Sequence, residues 1–335
     1  MRAQNFHTDS NIGSDIHISL IIVSYNTRDM LRQSLESIWT HKGNKRCEVF
    51  VVDNASMDGS ANMVEKEFTW VQLICSSKNL GFAAGNNLAM HKSRGRYVVL
   101  LNPDARLTEG ALEKSFEHME TCSEIGILGG QMIRPDGKLE PSARMLPSLF
   151  NKVLHLTGLS SRFPKSRICG RVDYSWWDHS EPRSVGWVVG AFFMIRRETL
   201  EQIGLLDERY FLYFEEIDFC RRAKQAGWDV VFFPYARVVH WGGQSSLQSQ
   251  GKISMQGKQL INIRIKSEYR YHRKFEGIVS VALMAGFEML WYGLIFLKNR
   301  MASSPDALQK RKDARWHISM ILQTLVLDRL GAGGR

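Results

Sequence analysis

The chain has 335 residues, 44% hydrophobic and 23% charged, so it can bury a full core and does not have a disordered composition. Its formal net charge of +10 favours an anionic partner: nucleic acid, an acidic membrane surface or a phosphorylated substrate. The five cysteines, Cys47, Cys75, Cys122, Cys169 and Cys220, are odd in number, widely spaced and without a CxxC pair, which argues against a disulfide framework or zinc knuckle and fits a reducing compartment.

Residues 1–15 are polar and carry no apolar h-region, so a disordered N-terminus without a signal peptide is expected, with the core staying in the cytosol. Ile18 to Val23 (ISLIIV) is a β-branched run suited to a strand buried on both faces. Thr27 to Trp39 spaces its apolar residues as a helix does. Strands are predicted over Glu48–Val52, Val71–Cys75, Tyr97–Leu101 and Ile125–Met132, with helices over Asp58–Phe68, Phe82–Lys92 and Thr108–Thr121. This alternation predicts an α/β fold with a mostly parallel sheet flanked by helices, and ligands at the carboxyl ends of its strands. From Arg134 to Pro182 the pattern loosens, with a hairpin turn at Pro135-Asp136-Gly137. A strand pair is expected within Val185–Ile195, a helix over Glu215–Ala226 ending at Gly227, and a strand over Val230–Phe233 before Pro234.

Candidate chemistry gathers at these strand ends. Asn102-Pro103-Asp104 follows a strand, and a carboxylate there can hold Mg²⁺ or Mn²⁺ against phosphates, although the same tripeptide also makes an ordinary turn. Asp53 can accept from a pyrimidine N–H, while Ser56 or Asp58 can cap the next helix. Gly81 and Gly85, at a helix start, let the backbone approach a ligand or phosphate. Glu215, Glu216 and Asp218 stand among aromatic residues, which favours a tuned carboxylate able to take a proton from a sugar hydroxyl; acids placed for the helix dipole explain the same pattern. His240 follows a further strand and suits Mn²⁺ if it is a ligand at all.

The ordered set IIVSYN, VVDNASMDGS, NLGFAAGNN, VVLLNPDA, VGAFFMIRRE, LDERYFLYFEEIDFCRRAKQAGW and VVHWGGQS resembles glycosyltransferase family 2, with its GT-A fold, and within it the bacterial rhamnosyltransferase-like members. The resemblance runs from about Ile18 to Gly243 and implies a catalytic domain over residues 16–245. It implies that Tyr25, Asn26, Asp53, Ser56, Asn79, Gly81 and Asn102 hold the nucleotide, that Asp104 and His240 hold Mn²⁺ or Mg²⁺, and that Trp187 and Gly190 line the acceptor side. Glu216 falls on the family's catalytic-base position; Glu215 replaces the Asp of the usual pair, which keeps Glu215 and Asp218 as reserve candidates. The implied activity is metal-dependent, inverting transfer of one sugar from a UDP- or dTDP-linked donor to a lipid-linked or glycan acceptor, in cell-wall, O-antigen or exopolysaccharide synthesis. A sugar-1-phosphate nucleotidyltransferase is the alternative enzyme, disfavoured because SYNTRD stands where its glycine- and arginine-rich loop would be. A processive synthase is disfavoured because Lys312 stands in place of the Gln of its Gln-x-x-Arg-Trp element.

Residues 246–335 are expected to form a basic, partly apolar helical extension. From Lys258 onward fourteen Lys/Arg face six Asp/Glu. Gly277–Leu297 is 21 residues long with Glu288 as its sole charge. An interfacial helix, a packed soluble helix or subunit contact in a homo-oligomer, and a true span all fit it. The first agrees with a peripheral enzyme on the cytoplasmic face of the inner membrane, and no nucleic-acid partner is expected because the charge lies outside the sheet domain. A non-enzymatic basic membrane-binding protein would leave the Glu-Glu-x-Asp cluster without a purpose.

Overall fold

The computed structural model describes residues 16–242, 255–327 and 331. The polar N-terminus 1–15, the Gly243–Ser245 end of the last motif and the expected domain boundary at 245/246 lie outside the described residues. The first half alternates β1 (Ile18–Ser24), α1 (Arg28–His41), β2 (Cys47–Asp53), α2 (Ser60–Glu67), β3 (Gln72–Cys75), α3 (Phe82–Met90), β4 (Tyr97–Leu101), β5 (Ala105–Leu107), α4 (Ala111–Thr121) and β6 (Ile125–Ile133). Then come β7 (Leu139–Glu140), β8 (Ala143–Arg144), α5 (Leu149–Leu156), α6 (Leu159–Arg162), β9 (Arg183–Ser184), β10 (Trp187–Val188), β11 (Phe192–Arg196) and α7 (Arg197–Ile203). The chain continues through α8 (Glu215–Gln225), β12 (Asp229–His240), α9 (Met255–Lys298) and α10 (Pro305–Leu327).

The main sheet runs β3-β2-β1-β4-β11-β6-β12-β5. β1 pairs in parallel with β2 and β4, β2 with β3, and β6 with β12. β11 is antiparallel to both β4 and β6, so the sheet is mixed. Every residue of β1 is buried, because its side chains alternate between two cores. Ile18, Leu20 and Ile22 face the core built with α1, α2 and α4, whereas Ile21 and Val23 face the one built with α3, α7 and α8.

Two expectations are corrected. Val185–Ile195 is not a strand pair: β10 pairs with β8, and β11 enters the main sheet between β4 and β6. Nor does Pro234 end the last strand. The register of β12 against β6 shifts between Phe233 and Arg237, so Pro234 sits in a bulge where its missing N–H costs no ladder bond, and the strand runs on to His240. That extension sets His240 opposite Ala105.

The C-terminal helices pack on the domain. In α9, Gly277 adopts φ 84° and ψ 176° and breaks the helix into two pieces. The first piece docks on the catalytic half: Lys274 bridges Asp207 and Asp218, Arg221 pairs with Glu276, and Ser267 donates to the carbonyl of Leu212. Glu288 in the second piece is buried rather than lipid-facing, 2.6 Å from Lys152 of α5 and 2.5 Å from the hydroxyl of Tyr269.

Candidate active site

The loops after β1 and β2 are stapled to each other. Asn26, at φ 53°, donates its N–H to the Ser56 hydroxyl at 3.0 Å, and its side-chain oxygen accepts from Met57 N–H at 2.8 Å. Asp53 ends β2 and is 4% exposed. One of its oxygens accepts from Ser56 N–H at 3.1 Å, while the other is buried without a partner. A buried carboxylate oxygen without a hydrogen-bond donor is costly, so this atom points to an N–H-bearing ligand. Tyr25, just after β1, is half exposed. Asp58, rather than Ser56, receives the helix-start N–H groups, those of Arg28 and Ser60.

Asn79 is largely occupied within the protein. Its side-chain oxygen accepts from the Asn54 amide and from Gly81 N–H, both at 2.9 Å, which leaves its amide nitrogen for a ligand. Asn54, which follows Asp53 at the strand end, also accepts from Leu80 N–H and donates to the Gly81 carbonyl, and so fixes the loop. Gly81 sits at φ +83°, and a Cβ there would lie 2.2 Å from the carbonyl oxygen of Phe211. Phe82 N–H donates to that same carbonyl at 2.8 Å. The loop before α3 is thereby locked against the loop that leads to Glu216.

Asp104 and His240 meet beyond the end of β4, with His240 Nε2 3.4 Å from Asp104 Oδ1. His240 Nδ1 lies 3.0 Å from Glu140 of β7. Burial disfavours charge on this imidazole, but hydrogen bonds to Asp104 and Glu140 prevail and push its pKa up to about 9. Glu140 thus orients the ring so that Nε2 faces Asp104, the arrangement by which a carboxylate fixes a metal-binding histidine. Nothing in the sequence marked Glu140, which stands in a two-residue strand. Asn102 is half-buried and tied through its N–H to the Ala191 carbonyl at 3.1 Å. Among the described residues no group of three or more His, Cys, Asp and Glu forms a metal cluster. The donor set therefore fits a hard cation that takes most of its ligands from phosphate and water.

The acidic motif opens α8. Tyr213 and Phe214 precede it at φ 68° and 72°, a left-handed pair without glycine that costs on the order of 1–3 kcal/mol per residue. That bend presents Glu215 and Glu216 at the helix start, each with one buried oxygen lacking a partner. Burial pushes the Glu216 pKa up to about 7; burial and repulsion from Glu216 hold Glu215 well above the carboxylate range. Asp218 behaves differently. It is fully buried and accepts from Arg222 at 2.7 Å, Lys274 at 2.6 Å and Tyr210 at 3.2 Å. These partners commit it to structure, so Asp218 is withdrawn as a reserve base.

Gly190 lies against Glu216 and Phe82: a Cβ built on it would meet the Glu216 stem at 3.8 Å and the Phe82 ring at 3.9 Å, which is ordinary contact. Glu216 and Trp187 line one cavity of about 290 Å³, together with Arg144, Lys152, Tyr213 and Arg264. The Trp187 indole N–H is fixed to the Met145 carbonyl at 3.0 Å. Glu215 does not line the cavity.

Known proteins match this architecture. The model of the family described as "Glycosyl transferase family 2" covers residues 19–204. An N-acetylglucosaminyl-diphospho-decaprenol L-rhamnosyltransferase of Mycobacterium tuberculosis is 29% identical over 240 residues, 68% of this chain and 77% of that protein. The rhamnosyltransferase WbbL of Escherichia coli K12 is 23% identical over 283 residues, 79% of this chain and 98% of its own length. Among solved structures, GalNAc-T7 with UDP, GalNAc and Mn²⁺ has a TM-score of 0.53 at 16% identity, covering 93% of this chain and 58% of that one. A mannosyltransferase of Pyrobaculum calidifontis in complex with GDP-Man and Mn²⁺ has a TM-score of 0.50 at 15% identity, covering 95% of this chain and 76% of that one. These structural likenesses show the GT-A fold. With the family model spanning more than half of the chain, the nucleotidyltransferase and the non-enzymatic binding protein are not favoured, and the chain belongs to glycosyl transferase family 2, in its rhamnosyltransferase-like branch.

Proposed function

We propose that this glycosyltransferase moves one sugar, L-rhamnose, from a dTDP- or UDP-linked donor to a hydroxyl of a diphosphate-linked lipid acceptor, with inversion. The observation that carries the reading is Glu216: a buried carboxylate with one oxygen lacking a partner, lining a cavity beside Trp187, its pKa raised by burial. A general base works best with a pKa close to the operating pH. The relatives named for rhamnosyl transfer, one of them to a decaprenol-linked substrate, supply the sugar and the acceptor class.

Asp53 and the loop of Asn26 and Ser56 receive the base and ribose at the ends of β1 and β2. Asp104 and His240 hold Mn²⁺ or Mg²⁺, which neutralises charge on the leaving diphosphate when bound. Glu216 takes the proton of the acceptor hydroxyl, whose oxygen attacks the anomeric carbon from the face opposite the diphosphate. One displacement needs one base and no covalent nucleophile, and Glu215, which does not line the cavity, is left without a direct role.

The second piece of α9 supports a workplace at the cytoplasmic face of the membrane. Val279, Leu283, Leu290, Leu294 and Leu297 recur at helical spacing on its exposed side, while Val281, Met284, Ala285 and Glu288 face inward. The helix is long and apolar enough to cross a bilayer by length and composition, yet its inward face is tied to α5 through Glu288. An interfacial helix satisfies both faces. Incubating the purified chain with dTDP-rhamnose, UDP-sugars and a farnesyl-diphosphate-linked N-acetylglucosamine, with Mn²⁺, tests the reading. The expected product carries one added rhamnose; transfer from another donor alone overturns the sugar assignment.

A further inference from the structure

The cavity beside Glu216 also gathers cations. Arg144 comes from β8, Lys152 and His155 from α5, and Arg264 with Glu268 from α9. These groups are not equally free. Lys152 lies 2.7 Å from Glu268 and 2.6 Å from Glu288, which take up its charge. Burial, reinforced by Arg264, pushes the His155 pKa down, so it is neutral at pH 7. Arg144 and Arg264 differ from both, since among the described residues neither has a carboxylate within ion-pair reach. Arg144 gives one N–H to the Pro141 carbonyl at 3.2 Å, and its Nε is buried without a partner. Burial disfavours its charge most; Asp173 and Glu140 oppose that at longer range, and the neighbouring Arg264 adds to it. Arg144, buried with its Nε unpartnered, faces the cavity beside the exposed Arg264, whose charge also reaches Glu216 and Glu268; a pair of guanidinium groups so placed suits phosphate oxygens, which they bind in pairs.

The anion is not the donor's diphosphate on this geometry: Asp53, Asp104 and His240, which define the donor side, do not line the cavity. At about 290 Å³ the space is close to the lower end of small-molecule sites, roughly 300 Å³, enough for a small headgroup but not a polymer. We propose that Arg144 and Arg264 form the diphosphate subsite of the acceptor, holding a lipid-linked headgroup with its first sugar turned to Glu216. This inference rests on the diphosphate-lipid acceptor proposed above.

The test is direct binding to the full-length protein in EDTA, by titration calorimetry, with farnesyl diphosphate, farnesol and inorganic pyrophosphate as probes. Binding of dTDP with Mn²⁺ reports on the donor side. Wild type is expected to bind farnesyl diphosphate at least tenfold more tightly than pyrophosphate. Arg264→Ala, at an exposed position that tolerates truncation, and Arg144→Ala are each expected to weaken farnesyl diphosphate by roughly tenfold or more. Farnesol and dTDP binding stay unchanged, and Arg264→Lys recovers part of the loss. Unchanged farnesyl diphosphate affinity in both variants overturns the subsite, as does an equal loss for farnesol or for dTDP. Equal affinity for pyrophosphate and farnesyl diphosphate assigns the site to free diphosphate instead of lipid. If the binding pattern holds but sugar is transferred only to acceptors lacking a diphosphate, the diphosphate site stands and its assignment to the acceptor falls.

Discussion

Lys274 of α9 places its Nζ 2.6 Å from Asp218 of α8, two residues beyond Glu216, and the Asp218 side chain is fully buried. A buried carboxylate stripped of a cation is left uncompensated. Lys274→Ala is therefore expected to lower unfolding free energy by about 1–3 kcal/mol, as the lysine is only partly buried. Asp218→Asn should cost a similar amount while leaving turnover per folded molecule within a few-fold. Urea denaturation paired with active-site-normalised kinetics measures both. A hundredfold loss of turnover in folded Asp218→Asn would restore Asp218 as a base.

Glu216→Gln keeps the shape of the side chain and removes the base. Turnover should fall by about 10²–10⁴, the range that general-base catalysis supplies. Donor nucleotide binding should be unchanged by calorimetry. Near-normal turnover would pass the role to Glu215.

The pH profile follows from burial. Glu216 must be ionised to act, so kcat should fall below a pH of about 7 with an acid limb at that value. Stability runs the other way. A carboxyl whose folded pKa is raised from 4.5 to about 7 makes the native state bind the extra proton in that window, so unfolding free energy falls as pH rises from about 4.5 to 7. Glu216→Gln should flatten that slope in pH-dependent urea melts. A slope identical to wild type would show that the carboxyl titrates normally.

Asp104→Ala and His240→Ala each remove one protein ligand from the proposed cation site. Both should weaken dTDP binding in Mn²⁺ by roughly tenfold or more and leave the weaker binding in EDTA unaltered. Glu140→Gln, which only reorients the His240 ring, should give a smaller loss of the same kind. Equal affinity with and without Mn²⁺ in wild type would remove the metal from the reaction.

Replacing Leu283, Leu290 and Leu294 together by Ser interrupts the exposed apolar face of α9. Flotation with anionic vesicles should drop sharply, while sedimentation velocity of the detergent-free protein stays at the same mass. A fall in mass without loss of flotation would instead identify the stripe as a contact between copies of the chain.

The strand ends were readable because each strand of the first half is a continuous apolar run followed by polar residues, and the parallel-sheet rule assigns ligands to those ends. Asp53 and Asp104 follow from this rule, whereas Glu216, at the start of a helix, follows from the acidic cluster among aromatic residues and from the family resemblance. Asp218 is a reserve base in the sequence because Glu215 replaces the Asp of the family's usual pair; its partner Lys274 lies 56 residues away, and no local pattern announces an ion pair at that separation. Glu140, Arg144 and Arg264 were missed for a related reason. The first two stand in two-residue strands and the third on a long helix, so only the tertiary fold brings them to the site. Helix α5 was hidden within a segment whose prolines suggested a loop, although Ser148 caps its first turn by accepting from Asn151 N–H.

The break at Gly277 also sets a distance. Lys274, tied to the helix of Glu216, and Val279, on the exposed apolar face, stand only five residues apart on either side of that break. With the stripe resting on a bilayer, the attacking hydroxyl must work close above the headgroups. On the proposed membrane placement the fold would act as a ruler, favouring acceptors that carry a single sugar over those already extended by several.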